Sequence, residues 1–381
     1  SCIELTMKIA YFMDTLPPHY DGVVNSFLHL IDTLEKENVD FKCISSFMPA
    51  QEFSWSHRVF KVFSVPFILY KDYRVGIPYF NRTTPELDNF QPDLVHVVSP
   101  TILGIFGLKY AKRRKIPVVS SYHTNYVSYL KYYGFPERIE EVGWDYLRWF
   151  YNQFDRVYAP SPTTARELQN QGIIDVDLWQ RGVNLDNYSP SFASSELRSG
   201  IGAEKKAILL FVGRLVKEKD LDDLCEACSL LRSDGMDFKL VVVGDGPMRD
   251  ELEERMPDAV FTGFLKDRAL SEWYATADLF VFPSTTETFG NVILEAFASG
   301  TPAVVVNLGG QADIINDGFD GLIAEANNSL DFAKKIKQLL KNPKLHQEMA
   351  LNARKTALQY SWETINKRLV RSYETVIGRS D

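Results

Sequence analysis

Short apolar runs alternate with amphipathic segments along most of this chain. In the first half, the runs 8–12, 94–98 and 117–122 are bounded by polar turns and predict buried strands. The segments between them, such as 25–37 and 103–112, repeat apolar residues at helical spacing. Strands that alternate with helices predict an α/β fold with a parallel sheet covered on both faces.

A second series of the same kind begins at residue 207, after a polar stretch rich in Asn, Ser, Pro and Gly. The pattern therefore predicts two doubly wound parallel-sheet domains, which the length of 381 residues also favours. Because ligands bind at the carboxyl ends of parallel strands, we expect the site in a cleft between the domains. The predicted boundaries are residues 7–185 for the first domain, 186–206 for a linker, 207–360 for the second domain and 361–381 for a terminal helix.

The composition is that of an ordinary globular protein, with 45% hydrophobic and 24% charged residues. A formal net charge of −8 argues against a protein that coats nucleic acid. The longest apolar run of the first half, 62–70, is interrupted by Pro66 and is too short to span a bilayer. Four cysteines form no disulfide framework and no signal peptide is evident, so we expect a reducing compartment. Cys225 and Cys228 fall on an apolar helical face, which favours a core position over a zinc site.

The stretch 283–297 joins a predicted buried strand to a predicted helix and carries two carboxylates. Glu287 lies in the turn, and Glu295 lies within the helix. The free N–H groups and the positive dipole end of a helix start suit a phosphate or a sugar hydroxyl. Two interpretations stay open: a ligand site, or a helix cap at Glu287 with Glu295 on a solvated face.

A second candidate turn follows the apolar run 208–212. Gly213 and Arg214 come directly after it, and Lys219 follows before the next predicted helix. Fixed cations with backbone N–H groups can hold a polyanion such as a diphosphate. The alternative is a solvated turn with Arg214 paired to a surface acid. The later loop at Gly244 lacks the third glycine of a dinucleotide fingerprint, so NAD binding is not expected.

Two candidate features lie at strand ends of the first half. Gly22, in the loop between the first strand and the first helix, would let the backbone approach a ligand closely, or it is a plain turn residue. His123 ends the strand 117–122 with an imidazole suited to proton and hydrogen-bond work near neutral pH, although a lone histidine can be structural. Asp175 and Asp177 are spaced like metal ligands but stand apart from the other motifs, so no metal site is predicted.

In combination and in this order, these motifs resemble glycosyltransferase family 4, the retaining enzymes of the GT-B fold. The most specific part is the pair Glu287 and Glu295, with seven residues between them. Within the family, the segments 91–96, 121–124 and 178–183 resemble the enzymes that glycosylate diacylglycerol, including sulfoquinovosyl and hexosyl diacylglycerol transferases. The resemblance implies two Rossmann-like doubly wound domains facing a cleft, with the terminal helix crossing back to the first domain.

The resemblance also implies roles for individual residues. Arg214 and Lys219 would neutralise the donor diphosphate, Glu295 would bind the ribose, and the loop with Leu265 would meet the base. His123 and Glu287 would be the catalytic residues at the transferred sugar. Asp220 stands where the family commonly has glycine, which leaves the geometry of the phosphate turn open. The implied donor-binding residues are Gly22, Arg214, Lys219, Leu265, Phe289, Gly290, Asn291, Val292 and Glu295, and Thr124 and Tyr126 would lie on the acceptor side.

The expected reaction needs no metal and no cofactor, because fixed cations and amide dipoles stabilise the leaving diphosphate. Sequence does not decide between front-face attack and a covalent intermediate; the former is preferred, since no second nucleophile is evident. Other activities stay open: transfer to a soluble or polysaccharide acceptor from a GDP- or UDP-sugar, epimerisation of a nucleotide sugar, a phosphorylase reaction, or binding without turnover.

The segment after His123 is dense in amphipathic aromatics, as expected where a domain rests in a lipid interface, or where a helix packs into its own domain. A basic cluster at 109–115 fits an anionic membrane surface or a helix C-terminus stabilised by cations. We therefore expect a hexose, from UDP-hexose by preference, to pass to a membrane lipid such as diacylglycerol or ceramide at the cytosolic face. The aromatics are Tyr126, Tyr129, Tyr132, Tyr133, Phe135, Trp144, Tyr146, Trp149, Phe150 and Tyr151.

Overall fold

The computed structural model describes residues 7–19, 22–67, 70–123, 137–287 and 289–378. The chain divides into two compact units, the first formed by 1–180 together with 365–381 and the second by 181–364. Each unit contains its own parallel sheet.

The first unit is built on a 7-stranded sheet in the order β3-β2-β1-β6-β7-β8-β9, in which neighbouring strands are parallel. The strands of the whole first unit are β1 (Lys8–Met13), β2 (Asp40–Ser45), β3 (Val59–Lys61), β4 (Phe63–Phe67), β5 (Tyr70–Ile77), β6 (Leu94–Val97), β7 (Val118–Ser121), β8 (Arg156–Ala159) and β9 (Val176–Leu178). Strands β4 and β5 form a separate antiparallel ribbon. The helices of this part of the chain are α1 (Gly22–Lys36), α2 (Phe80–Phe90), α3 (Ile102–Arg114), α4 (Glu137–Tyr151) and α5 (Pro162–Asn170).

The second unit has a 6-stranded parallel sheet in the order β12-β11-β10-β13-β14-β15. Its strands are β10 (Ala207–Val212), β11 (Phe238–Val243), β12 (Val260–Gly263), β13 (Leu279–Phe282), β14 (Ala303–Val306) and β15 (Gly321–Ala324). The remaining helices are α6 (Ser195–Gly200), α7 (Leu221–Ser233), α8 (Arg249–Arg255), α9 (Asp267–Thr276), α10 (Asn291–Ala298), α11 (Ser329–Leu340), α12 (Pro343–Gln359) and α13 (Trp362–Gly378). The prediction of two doubly wound parallel sheets is therefore confirmed.

The strand order reverses at one place in each sheet. In the first sheet β1 lies between β2 and β6, and in the second sheet β10 lies between β11 and β13. The loops on either side of such a reversal diverge to opposite faces of the sheet and leave a crevice at the carboxyl edge. Ligand-binding residues are therefore expected after β1 and β6, and after β10 and β13.

The segment 186–206, predicted as a linker, is ordered within the second unit. It contains the 3-10 helix Pro190–Phe192 and the helix α6, which are capped by the side chains of Ser189 and Ser194. Arg198 pairs with Asp278 at 2.9 Å. The polar composition of this stretch thus reflects capping and ion-pairing residues, which local pattern alone does not distinguish from a linker.

Helix α13 belongs to the first unit from Ile365 onwards. Its Tyr373 hydroxyl lies 2.6 Å from Nδ1 of His96, and its Asn366 accepts a hydrogen bond from the indole N–H of Trp179 at 3.1 Å. Both contacts are buried. The end of the chain is therefore tied to the first sheet by specific polar contacts.

Each unit buries its own apolar core, and Cys225 and Cys228 lie in the core of the second. In α4, Phe150 and Tyr151 are fully buried, whereas Trp149 is 53% and Tyr146 38% exposed. The aromatics of α4 thus divide between core packing and an exposed face. None of the helices in the described ranges is long and apolar enough to cross a membrane.

Candidate active site

The loops that follow β10 and β13 meet at the strand-order reversal of the second sheet. Their strands are direct neighbours, so the basic turn and the carboxylate turn start side by side. The Lys219 ammonium lies 2.9 Å from Oε2 of Glu287, and the Thr286 hydroxyl donates to the carbonyl of Glu218 at 2.8 Å. Two motifs that are 68 residues apart in sequence therefore form one site.

The Lys219–Glu287 ion pair is partly shielded from water. The two side chains are 21% and 22% exposed, and the ammonium also lies over the ring of Phe282 at 5.6 Å. The N-cap residue of α10 is Gly290, so no side chain caps the helix at that position. The arrangement offers a cation to phosphate oxygens next to a carboxylate that can accept from sugar hydroxyls.

Asp220 adopts the left-handed conformation that the family's glycine would supply, with φ 53° and ψ 39°. Its Oδ2 accepts hydrogen bonds from the backbone N–H of Thr285 at 2.7 Å and from the Thr285 hydroxyl at 2.8 Å. Aspartate is one of the few non-glycine residues that tolerate this conformation, and two bonds to a carboxylate offset its cost. Asp220 therefore holds a left-handed turn and links the two loops through its side chain.

Arg214 extends from the turn after β10 and is exposed, with no ion-pair partner in the part of the chain that the structure describes. The turn itself is held by the bonds from Gly213 N to Val243 O at 3.0 Å and from Leu215 N to Asp245 O at 2.9 Å. A Cβ at Gly244 would lie 1.9 Å from the carbonyl oxygen of Gly213. The glycine after β11 is therefore required for close backbone packing against the Arg214 turn.

The start of α10 is supported by the loop that follows β14. Gly310 N donates to the carbonyl of Glu287 at 2.6 Å, and the buried Gln311 amide donates to the carbonyl of Ser284. Phe289 is buried, Gly290 has φ +89°, and Asn291 and Val292 form the first turn of the helix. Sequence reasoning missed this supporting loop, although its Gly309-Gly310 pair comes soon after the apolar run 303–306, with two residues between them.

Glu295 is held in a polar pocket formed by tyrosines. The Tyr274 hydroxyl donates to its Oε2 at 2.8 Å, and Tyr188 also hydrogen-bonds the carboxylate. Burial raises the pKa of Glu295 to about 7, although the two tyrosine hydrogen bonds oppose the shift. The interpretation of Glu295 as a solvated face residue is therefore wrong. The two tyrosines come from distant segments without a shared motif and could not be found from sequence.

His123 follows β7 at the carboxyl edge of the first sheet. Its ring packs edge-on against Trp179, with centroids 5.3 Å apart. Behind it lies the buried His96, whose pKa is lowered to about 3 by burial and, to a smaller extent, by His123. His96 is therefore neutral, and its Nε2 contacts the Ser121 hydroxyl. Thr124 and Tyr126, expected on the acceptor side, lie outside the described residues.

Asp14 is a buried carboxyl that sequence reasoning missed. It lies directly after β1, at the strand-order reversal of the first sheet, and is 4% exposed. The Thr101 hydroxyl lies 2.8 and 3.0 Å from its two oxygens. Burial raises the pKa of Asp14 to about 7, so it can exchange a proton near neutrality. Its position directly after a buried strand is the feature of the sequence that could have identified it as a candidate.

Gly22, predicted to approach the donor, begins α1 of the same unit.

The remaining predicted site residue, Leu265, follows β12 and is partly buried. The neighbouring Phe264 is 75% exposed, and Gly263 accepts a hydrogen bond from Gly244 N at 2.9 Å. This loop is therefore anchored to the glycine turn beside Arg214, and its contact with a base stays a prediction.

Asp177, considered as a metal ligand, pairs with Arg156 at 3.3 Å.

Known protein families match both units of the chain. The family Glycosyltransferase Family 4 matches residues 20–187, and Glycosyl transferases group 1 matches residues 194–356. A GDP-mannose-dependent alpha-mannosyltransferase of Mycobacterium tuberculosis is 34% identical to the chain. The alignment covers 98% of this chain and 98% of the mannosyltransferase. An alpha-monoglucosyldiacylglycerol synthase of Streptococcus pneumoniae is 30% identical over 78% of this chain and 70% of its own length.

Solved structures show the same architecture. Anabaena HepE in complex with UDP has a TM-score of 0.72 to this chain at 20% identity, with 97% of this chain and 100% of that chain covered. At 20% identity, this structural similarity shows only that the chain has the GT-B fold. Since the sequence relatives match both units at 30% identity or more, the chain is a glycosyltransferase and belongs to glycosyltransferase family 4.

Proposed function

We propose that this protein transfers a hexose from a nucleoside diphosphate hexose to a membrane lipid, with retention of anomeric configuration and without a metal ion. The observation that carries the proposal is the junction of the Lys219 and Glu287 loops next to the start of α10. There a cation, a carboxylate and the positive end of a helix dipole converge on one edge of the sheet.

The chemistry follows from how charge develops. Departure of the nucleoside diphosphate places negative charge on its phosphate oxygens and positive character on the anomeric carbon. Arg214 and Lys219 would take up the negative charge, assisted by the N–H groups of Asn291 and Val292. Fixed cations of this kind perform the role that a divalent metal has in other transferases, which is why we propose metal independence.

The remaining groups would act on the sugar and the nucleoside. Glu287 would accept hydrogen bonds from sugar hydroxyls, and Glu295 from the ribose. His123, whose ring is fixed by Trp179, would reach the transferred sugar from the first unit. A preorganised donor site of this kind fits front-face departure and attack, in which the leaving phosphate itself assists the acceptor hydroxyl.

Two donors are candidates. GDP-mannose is favoured by the name of the 34% identical mannosyltransferase, which matches this chain over nearly its whole length. A UDP-hexose is favoured by the motifs shared with diacylglycerol-glycosylating enzymes. Sugars of both donors are usually α-linked, and both relatives are named for α-products, which supports retention.

The lipid acceptor is supported by the relative that forms monoglucosyldiacylglycerol and by the surface of the first unit. On α4 the side chains of Val142, Tyr146 and Trp149 are 66%, 38% and 53% exposed. Amphipathic aromatics on an exposed helix face suit the membrane interface. Diacylglycerol or a ceramide, reached from the cytosolic face, is the proposed acceptor class.

The test is a transfer assay with purified protein and a panel of labelled donors, including GDP-mannose and UDP-glucose. Each donor is offered diacylglycerol or ceramide in detergent micelles, and in parallel soluble oligosaccharides, with and without EDTA. We expect a labelled lipid with an α-linkage by NMR, formed at the same rate with EDTA. Transfer to soluble saccharides but to no lipid would refute the acceptor, and conversion of the donor without an acceptor would indicate an epimerase.

A further inference from the structure

In the β4–β5 ribbon of the first unit, three apolar side chains, those of Phe63, Val65 and Ile77, point outward. Phe63 faces Ile77 across the ribbon, and Val65 lies two positions further along the same face. Phe63 is 51% exposed, and Val65 and Ile77 are each 37% exposed. An antiparallel ribbon at a protein surface ordinarily places polar residues toward water and apolar residues toward the core.

On the opposite face, the described residues Ser64, Arg74 and Gly76 are polar or small, and Ser64 and Gly76 are buried. Ser64 is 8% exposed, and Arg74 donates to its hydroxyl at 2.7 Å and to its carbonyl at 2.9 Å. A Cβ on Gly76 would lie 2.6 Å from the Ser46 hydroxyl oxygen. A one-residue slip of register would turn Phe63 and Val65 inward. The close approach at Gly76 and the hydrogen bonds from Arg74 to Ser64 hold the observed register instead.

A cavity of about 570 Å³ adjoins the outward face. The rings of Phe63 and Tyr79, 6.0 Å apart, form one wall, and Phe60 and Val62 contribute further apolar surface. Thr83 also lines it, is 1% exposed, and has a hydroxyl without a hydrogen-bond partner among the described residues. The lining of this cavity is mainly apolar, which suits a hydrocarbon chain.

The rim of this cavity is basic. Lys61 and Arg82 both line it, both are exposed, and neither forms an ion pair within the described part of the chain. Cations beside an exposed apolar patch are complementary to an anionic amphiphile, whose headgroup meets the charges while its chain contacts the apolar surface. The same charges oppose the binding of a basic partner.

The ribbon also lies at the edge of the sheet where transfer would occur. Strand β3 runs parallel to β2 and β1 and leads through Val62 into β4. The ribbon therefore begins at the carboxyl edge of the sheet, the edge that carries Asp14 and His123. A lipid bound there would be held on the side of the unit from which an acceptor must come.

We propose that the outward face of the β4–β5 ribbon and its cavity bind an acyl chain of an anionic membrane lipid and dock the enzyme on anionic bilayers. This inference rests on the proposed function, because it names the surface through which a lipid acceptor is reached. A second copy of the chain or a protein partner on the same face are the alternatives that the test separates.

The experiment measures co-sedimentation of the full chain with phosphatidylcholine vesicles that contain phosphatidylglycerol, and with vesicles of phosphatidylcholine alone. We expect binding to the anionic vesicles only. The double variant Phe63→Ser/Ile77→Ser and the double variant Lys61→Glu/Arg82→Glu should each weaken it at least tenfold. The matched controls are Leu330→Ser/Leu351→Ser, which removes two leucines of the second unit that are 68% and 62% exposed, and Lys109→Glu/Lys112→Glu in the basic cluster of α3. Both controls should bind like the wild type.

The outcomes separate the inference from the proposed function. Every variant is also assayed for transfer to diacylglycerol in detergent micelles, which requires no bilayer docking. If the wild type binds no anionic vesicles, or if the ribbon variants bind as well as the wild type, the inference is wrong while transfer in micelles can still stand. Light scattering that shows a dimer lost in Phe63→Ser/Ile77→Ser would assign the face to a second copy. Vesicle binding without transfer to any lipid in micelles would refute the proposed acceptor alone.

Discussion

Glu295 and Asp220 show how single carboxylates are adapted in this site. Glu295 sits in α10 with tyrosine hydroxyls as its partners, and its raised pKa of about 7 follows from burial. Asp220 occupies a left-handed turn and uses its side chain to hold the neighbouring loop. Both are positioned to act through their charge, so both should respond to isosteric substitution.

Donor binding should depend on pH through Glu295. A ribose hydroxyl donates best to a carboxylate, so binding favours the ionised form, and affinity should rise from pH 6 to pH 8. Below the pKa, each pH unit should weaken binding by up to about tenfold. Calorimetric titration of GDP and UDP across this range measures the effect. In Glu295→Gln, nucleotide binding should be weak and should not change between pH 6 and pH 8. Glu254→Gln, on the surface of α8, should keep the pH dependence of the wild type.

Replacement of Asp220 should separate conformation from hydrogen bonding. Asp220→Gly keeps the left-handed turn but loses the link to Thr285, so donor affinity should fall about tenfold, the equivalent of one charged hydrogen bond. Asp220→Ala loses the link and also strains the turn, by a further ~1 kcal/mol. In nucleotide titration and thermal melting, affinity and stability should be highest for the wild-type Asp220, lower for Asp220→Gly and lowest for Asp220→Ala. An Asp220→Gly variant with wild-type affinity would show that the link has no role in binding.

At the scale of elements, the site depends on loops that are packed tightly against each other. The turns after β10 and β11 share backbone hydrogen bonds, and the loop after β14 supports the start of α10. In the first unit, α13 is joined to the sheet by a chain of hydroxyls, in which the Tyr11 hydroxyl contacts the Tyr373 hydroxyl and the Tyr373 hydroxyl contacts Nδ1 of His96. Each contact can be removed by a single small change.

Gly244→Ala should destabilise the second unit because its Cβ would overlap the carbonyl of Gly213. With φ +138° and a contact of 1.9 Å, the change combines backbone strain with a clash, for which we expect a loss of about 2–3 kcal/mol. Urea denaturation measures it. Gly200→Ala is the control, since nothing lies within 4 Å of that position. Equal stability of the two variants would contradict the packing described here.

Tyr373→Phe should loosen α13. The change removes the group that joins the Tyr11 hydroxyl to Nδ1 of His96, in a site that is 0% exposed at all three residues. Two buried polar atoms would lose a partner, at a combined cost of about 1–3 kcal/mol. Hydrogen exchange should then be faster in α13 and β6. Tyr79→Phe, at a 49% exposed tyrosine, should leave exchange unchanged, and a similar effect in both variants would argue against the chain of hydroxyls.

At the scale of the whole molecule, the two units supply different parts of the proposed reaction. The second unit carries the cations, the helix start and the two glutamates, whereas the first carries His123 and the buried Asp14. Donor binding and chemistry should therefore be separable by mutation.

His123→Ala should retain the donor and lose transfer. A nucleoside diphosphate that binds the folded protein raises its melting temperature by mass action, and this shift should equal that of the wild type. Loss of an acid–base or positioning group should lower kcat by about 10²–10⁴-fold. Glu295→Ala should have the reverse pattern, with a reduced thermal shift. If His123→Ala abolished the thermal shift while the variant remained folded, His123 would belong to the donor site instead.

Much of the fold was predictable because strand and helix periodicities are local properties of the chain. The apolar runs before Gly213 and Glu287 predicted β10 and β13, and the turns that follow them predicted polar loops at the carboxyl edge of the sheet. The linker at 186–206 was a weaker prediction, because capping serines and prolines look the same in a linker and between packed elements.

By itself, the sequence determined the two doubly wound sheets, the family, and which polar residues follow the buried strands, since each rests on residues close together along the chain. Only the tertiary structure decided that Lys219 pairs with Glu287, that Tyr188 and Tyr274 hold Glu295, and that Phe63 and Ile77 of the β4–β5 ribbon point outward. These contacts join segments far apart in sequence, or depend on which face of a strand is packed. The physical reason is that burial and partner choice arise from the packing of whole elements, which no local pattern encodes.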